Sequence, residues 1–257
     1  MKRLHLIILI FTTVIGIFLS QGYTVKNISQ ESNTADTVSG VPTPVSYPTV
    51  SYKDITYAYA SFTVTDHGKL ALIPNFTEKK TVQDIVRESS CDYAINAGFY
   101  DTSGSPLGMW KNDTEYLRKP IESALLKGFY SVSGYKPSLS LNVPANPRIA
   151  LQSGPVLILD SLLLTLRIAN DEYARRSLVL TTKENRTVFI TVFQAESVYN
   201  GPLLSELPVV LDLITKKSDI TVNSAMNLDG GSASAFYGHG TNLSELSQVG
   251  SVFCLMK

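Results

Sequence analysis

The sequence predicts an α+β fold: a mixed, mainly antiparallel β-sheet core with a few flanking helices, built by a single domain behind an N-terminal leader. Three observations carry this reading. Short segments rich in Val, Ile, Leu, Tyr and Phe recur at strand length between residues 57 and 193. Only two stretches have the spacing of an amphipathic helix. The two kinds are interspersed without the alternating rhythm that a parallel, doubly wound sheet needs.

The chain opens on Lys2 and Arg3, followed by an apolar run over residues 4–19, and no acidic residue precedes Glu31. Charge and length together mark an export signal. Ser20, Gln21 and Gly22 offer small residues at a cleavage site; left uncut, the run stays as a single-pass membrane anchor. In either case the basic pair holds the N-terminus in the cytoplasm and the remainder is translocated, so the expected location is extracytoplasmic, secreted or tethered. Residues 21–51 turn to Ser, Thr, Asn and Pro, and Pro42, Pro44 and Pro48 favour extended chain, which reads as a disordered tether. The expected division is therefore 1–20 signal peptide or anchor, 21–51 tether and 52–257 folded domain.

Strands are predicted over 57–65, 69–73, 93–96, 124–132, 148–152, 156–159, 177–182 and 187–193. Lys183, Glu184, Asn185 and Arg186 are polar and turn-forming, so the last two strands make a hairpin. The first helix spans 81–87, where Val82, Ile85 and Val86 share a face. Thr81 and Asp84 have the spacing of a capping box, with Asp in place of the usual Glu or Gln. The second starts at Ser205 as N-cap and runs through Leu207, Val210, Leu211 and Ile214, with Pro208 early enough to be tolerated.

Composition excludes several functions. There are 22 basic and 22 acidic residues, a net charge of zero, so the chain has no excess of cations with which to neutralise nucleic-acid phosphates. A hydrophobic content of 44% excludes disorder of the whole chain. Cys91 and Cys254 are too few for a disulfide scaffold, although an oxidising compartment permits a bond between them. With His5, His67 and His239 they show no metal-ligand spacing, so neither a metal nor a cofactor is expected.

Three segments join an apolar strand to a polar, glycine-containing end: Ala94-Ile95-Asn96-Ala97-Gly98-Phe99-Tyr100-Asp101, Ala150-Leu151-Gln152-Ser153-Gly154-Pro155 and Met226-Asn227-Leu228-Asp229-Gly230-Gly231-Ser232. Taken singly, such a segment is more often a plain turn than a site. The third stands out because the Gly-Gly-Ser after Asp229 could leave backbone N–H groups free to converge on an anion. The competing explanation is an Asx-turn in which Asp229 caps its own loop.

Taken in order, residues 94–101, Pro106-Leu107-Gly108, residues 152–155, Arg176-Ser177 opening the hairpin, Tyr199-Asn200-Gly201 before the second helix, and residues 227–232 resemble the phosphodiester glycosidase family. The resemblance covers roughly residues 68–240. Ala97 and Tyr100 depart from that family's usual Asn-Gly-Gly-Phe-Phe, and Ser232 stands where it often has a third glycine or a proline.

The resemblance implies hydrolysis of a sugar-1-phosphodiester to sugar and phosphomonoester. It implies Asp229 as the carboxylate near the anomeric carbon, Arg176 (with Arg175 as the less favoured neighbour) as the phosphate ligand, and Asn96 as a ligand of sugar hydroxyls or phosphate. Gly98, Tyr100, Asp101, Gln152, Ser153, Gly230, Gly231 and Ser232 would line the same pocket, Asp101 being the other available carboxylate. The expected partner is a glycan or sugar-phosphodiester of the cell envelope or exopolysaccharide, with no nucleic acid, and the membrane only through an uncleaved leader. Two other functions fit the residues: a different polysaccharide hydrolase or transferase, and a non-catalytic carbohydrate-binding protein.

Overall fold

The computed structural model describes residues 46–257; the leader over 1–20 and the tether up to residue 45 lie outside the described residues. The chain runs through β1 (Thr49–Tyr52), β2 (Ile55–Val64), β3 (Leu70–Pro74), α1 (Val82–Glu88), β4 (Cys91–Asn96), β5 (Trp110–Lys111), β6 (Tyr116–Arg118), β7 (Gly128–Ser133), β8 (Lys136–Ser140) and β9 (Ile149–Ser153). It continues through β10 (Val156–Leu159), β11 (Leu162–Leu163), β12 (Arg176–Thr182), β13 (Thr187–Gln194), α2 (Leu207–Lys217), β14 (Val222–Asn227), β15 (Phe236–Gly238), β16 (Thr241–Leu243) and β17 (Ser251–Met256). The strands form a seven-stranded sheet in the order β1-β2-β13-β12-β14-β10-β11 and two five-stranded sheets, β16-β15-β4-β17-β3 and β6-β5-β9-β7-β8. The pairs are antiparallel, as predicted.

Alternation along the central strands decides which layer each side chain enters. On β12, Leu178 and Leu180 face α2 and pack with its Leu207, Val210, Leu211 and Ile214. Val179 between them points to the other face and joins Phe62, Tyr130, Phe189 and Phe253 in the core between the sheets. The aromatic rings of this inner core meet at 4.9 to 6.2 Å between centroids, mostly tilted or edge-on, the arrangement their quadrupoles favour. A smaller cluster holds α1 against the second sheet through Val82, Ile85, Ala94 and Val252. A disulfide between Cys91 and Cys254 joins neighbouring strands β4 and β17 inside that cluster.

Local departures from expectation have local causes. The folded part starts before residue 52: β1 pairs with β2, Val50 is buried and Tyr47 packs edge-on against Phe193. Pro48 does not prevent this because it precedes the strand, where its missing N–H costs no ladder bond, and its carbonyl accepts from Tyr59 N. The strand expected from residue 124 starts only at Gly128. Ahead of it the Ser123 hydroxyl accepts from Leu125 N and Leu126 N, and the Gln152 amide binds Ile121 O and Leu126 O, holding the segment as a loop. Thr81 caps α1 as expected, accepting from Asp84 N; the shorter Asp84 reaches the Thr81 hydroxyl instead of its N–H. Ser205 is not the N-cap of α2. Its N–H is held by Asp171, and the helix starts behind Glu206, which makes no side-chain cap.

Among the described residues no helix is long and apolar enough to cross a membrane. No group of three or more His, Cys, Asp or Glu side chains among them is placed to hold a metal ion.

Candidate active site

Antiparallel register brings the C-terminal end of β14, the N-terminal end of β12 and the C-terminal end of β4 to the same end of the domain. Leu178 pairs with Asn227 across β12 and β14. Past Asn227 the chain leaves the sheet but is stitched down residue by residue. Leu228 N donates to Ser177 O (2.8 Å), Asp229 N to Ala97 O (2.9 Å) and Gly231 N to Arg175 O (2.8 Å). Asn96 completes the seam: its Nδ2 donates to Asp229 O (2.6 Å) while its Oδ1 accepts from Ser177 Oγ and Ala235 N. Asp229 therefore has its backbone fixed from both neighbouring segments.

Here lies a cleft of about 390 Å³. Asp229, Gly230, Gly231 and Ser232 line it from one segment and Arg176 from another. The stretch between β11 and β12 adds Ile168, Asn170, Asp171 and Glu172, and Phe99, Leu125 and Leu204 supply apolar surface.

The Asp229 carboxyl is partly exposed to the cleft but mostly surrounded by protein. Burial pushes its pKa up to about 7, against the smaller opposing effect of the Gly230 N–H bonded to its Oδ1 at 2.8 Å. Its Oδ2 has no hydrogen-bond partner among the described residues. One oxygen is thus anchored and the other left for a ligand, on a group that is both donor and acceptor near neutral pH.

Arg176 and Arg175 point to different places. Arg175 is buried and spends its guanidinium on loop carbonyls, Val198 O, Ser244 O and Ser234 O, which makes it structural. Arg176 reaches the cleft. Its Nε donates to Pro202 O (3.1 Å) and Nη2 to Glu172 O (2.5 Å), while Nη1 has no partner among the described residues.

Of the expected site residues, Asp229, Arg176, Gly230, Gly231 and Ser232 line the cleft and six others do not. Asn96 is fully buried, its Nδ2 bonded to Asp229 O and its Oδ1 to Ser177 Oγ and Ala235 N, so it holds the Asp229 backbone from behind and does not line the cleft. Ser153 is also buried and donates to Asn227 O. Gln152 points to a different surface, its amide tied to Met109 N, Ile121 and Leu126 O. Gly98 packs on Leu151, where an added Cβ would lie 2.8 Å from Cδ1. Tyr100 donates to Gln248 O. Asp101 closes its own turn, its Oδ1 accepting from Ser103 N and Ser105 N, and it does not line the cleft.

The Gly-Gly-Ser segment does not form the expected nest. Gly230 N is held by the Asp229 side chain and Gly231 N by Arg175 O, which leaves only Ser232 N without a partner among the described residues. The carboxylates that do line the cleft beside Asp229 are Asp171 and Glu172. Sequence reasoning missed both because 164–175 has no periodic pattern. Asn227 and Phe99 lay inside the quoted segments, and no signal separated them from their neighbours.

No curated protein matches the sequence. Among solved structures the fold is similar to the catalytic domain of zebrafish N-acetylglucosamine-1-phosphodiester alpha-N-acetylglucosaminidase, auto-inhibited by its pro-peptide, with a TM-score of 0.60 and 14% identity over 82% of this chain and 81% of that one. A Synechocystis protein is similar at a TM-score of 0.60 and 14% identity, covering 81% of this chain but only 61% of its own length. The sequence profile of the phosphodiester glycosidases matches residues 89–255, more than half of the chain and beyond residue 240, to which the motif resemblance extended. The chain belongs to the phosphodiester glycosidase family, hydrolases of phosphodiester-linked sugars.

Proposed function

We propose that this protein cleaves the anomeric C–O bond of a sugar-1-phosphodiester of the cell envelope, releasing the sugar and leaving a phosphomonoester. The observation that carries the reading is Asp229: a carboxyl with one oxygen pinned, the other open, and a pKa pushed up to about 7, in the same cleft as Arg176.

The chemistry follows from charge. Departure of the phosphate oxygen from C1 builds oxocarbenium character on the sugar, which the ionised Asp229 stabilises. Water adds its oxygen to C1, the C1–O electrons leave with the phosphate, and the water proton passes to Asp229. The phosphomonoester formed has a second pKa of about 6, close enough to that of Asp229 for the proton to move on to it and restore the carboxylate. Arg176 Nη1 supplies a charge-assisted bond to the phosphoryl oxygen. Phe99, Leu125 and Leu204 give the less polar face of a sugar ring or of the aglycone a surface to pack on.

The Cys91–Cys254 disulfide supports an oxidising, extracytoplasmic location, as does the leader composition. The zebrafish enzyme's name supports a 1-phosphodiester as the bond attacked. The test is to incubate the purified protein with a panel of sugar-1-phosphodiesters and with polymeric glycans, with and without chelator, and to quantify free sugar and phosphomonoester. Equimolar release of both, lost in Asp229→Asn, is expected. Release that survives Asp229→Asn, or glycan binding with no product, would overturn the reading.

A further inference from the structure

The steps above leave unused the residue that ties the cleft wall together. Asp171 accepts from Leu204 N through Oδ1 and from Ser205 N through Oδ2, both at 2.8 Å, and its Oδ1 lies 3.7 Å from Arg176 Nη2. Both side chains are largely enclosed, 11% exposed for Asp171 and 13% for Arg176. Burial pushes the Asp171 carboxyl up, but the bonds from Ser205 and Leu204 and the nearby Arg176 charge outweigh it, so the group stays ionised at neutral pH. Arg176 reaches the same turn from the other direction, its Nε donating to Pro202 O. The turn at 202–205 is therefore gripped twice, by Asp171 through two N–H groups and by Arg176 through a carbonyl. If the first grip is lost, the carbonyl that orients the guanidinium is free to move.

We propose that Asp171 is a positioning residue for substrate binding: it locks the 202–205 turn and, through it, the Arg176 guanidinium, so that Nη1 stays available to the phosphoryl group. The proposal rests on the reading of Arg176 as the phosphate ligand. Each Asp171 oxygen is held by a backbone N–H, whereas Asp229 keeps its Oδ2 open, and the Asp171 charge opposes an incoming anion. Its contribution is geometric and must exceed that repulsion, which fixes the sign of the test.

Wild type, Asp171→Asn, Arg176→Lys and the double variant are compared in the full chain by kcat and KM on a sugar-1-phosphodiester. Inorganic phosphate affinity is measured by calorimetry and the melting temperature is recorded. Asn keeps one acceptor oxygen, and Asp171→Ser serves as a second variant if Asn fails to fold. KM and the phosphate Kd should rise about tenfold in Asp171→Asn, within the range for groups coupled in one network, with kcat changed less than about threefold. The same substitution in Arg176→Lys should add little. A merely structural Asp171 would lower the melting temperature without this split. An unchanged or lower KM, or a full tenfold effect in the Arg176→Lys background, overturns the proposal while the proposed function stands. A wild type that neither hydrolyses the diester nor binds phosphate overturns both.

Discussion

Replacing Asp229 by Asn removes one titrating group and changes almost no shape, so its effect on stability can be worked from the structure. Asn keeps Oδ1 for the Gly230 N–H, and only the open oxygen is replaced by an amide. The folded protein raises this carboxyl from 3.8 to about 7. A raised carboxyl contributes stability that is fully present below the unfolded pKa and is lost as pH rises through the folded one. Three pK units at about 1.4 kcal/mol each amount to roughly 4 kcal/mol lost between about pH 4 and pH 7. The Asn variant does not pass through this loss. At about 2–4 °C per kcal/mol for a domain of this size, its melting temperature should exceed that of wild type by about 10 °C at pH 8, with the gap closing toward pH 4. The assay is scanning calorimetry of both proteins across pH 4.5–8.5, with turnover measured at pH 7, where kcat should fall by about 10² to 10⁴. A gap independent of pH would mean that Asp229 is an ordinary carboxylate, and the proton-transfer argument would fail with it.

Three further outcomes are expected. Arg176→Lys should raise KM, because Lys cannot serve Pro202 O, Glu172 O and a phosphoryl oxygen with one fork; equal proportional loss in kcat would point elsewhere. Asn96→Asp replaces the donor to Asp229 O by an acceptor while leaving Ser177 Oγ and Ala235 N their partner. It should destabilise by about 1–3 kcal/mol in denaturant titration and lower kcat, although the residue touches no substrate. Cys91→Ser opens a loop with a sequence separation of 163 and should cost about 2–5 kcal/mol, matched in wild type by adding reductant during thermal unfolding.

How much of this was legible depended on whether a residue's role was set by its near neighbours. The 177–193 hairpin, both helices and the mainly antiparallel core follow from alternation and spacing, which local sequence carries in full. Strands of two or three residues such as β5, β11 and β16 are too short to alternate visibly, and their existence depends on the partner they pair with. The site divides the same way. Asp229 and its glycines are contiguous, so they were found together. Asn96 and Gln152 are equally polar strand-end residues, but what their amides bind is decided by segments far along the chain, and both turned out to hold loops. Asp171 had no local signal at all, because its meaning comes from a turn 33 residues away.

The missing nest changes how the cleft must handle charge. In the proposed reaction, with Gly230 N and Gly231 N already bonded, the anion is met mainly by Arg176, itself 3.7 Å from Asp171. A bound phosphodiester therefore brings negative charge that the site only partly cancels, and that charge disfavours ionisation of Asp229 in the same cleft. At separations of several ångströms and an effective dielectric near 20, proton affinity rises about tenfold or more. If the ionised form is the active one, kcat/KM should climb with pH and level off above about 7, the value for the free protein, whereas kcat should level off at distinctly higher pH. The diester does not titrate in this range, so the offset belongs to the protein. Rates measured across pH 5–9 on one substrate decide it: coincident inflections would mean that the phosphate sits too far from Asp229 for the two to share a reaction, and a profile falling with pH would assign Asp229 the role of proton donor to the leaving group.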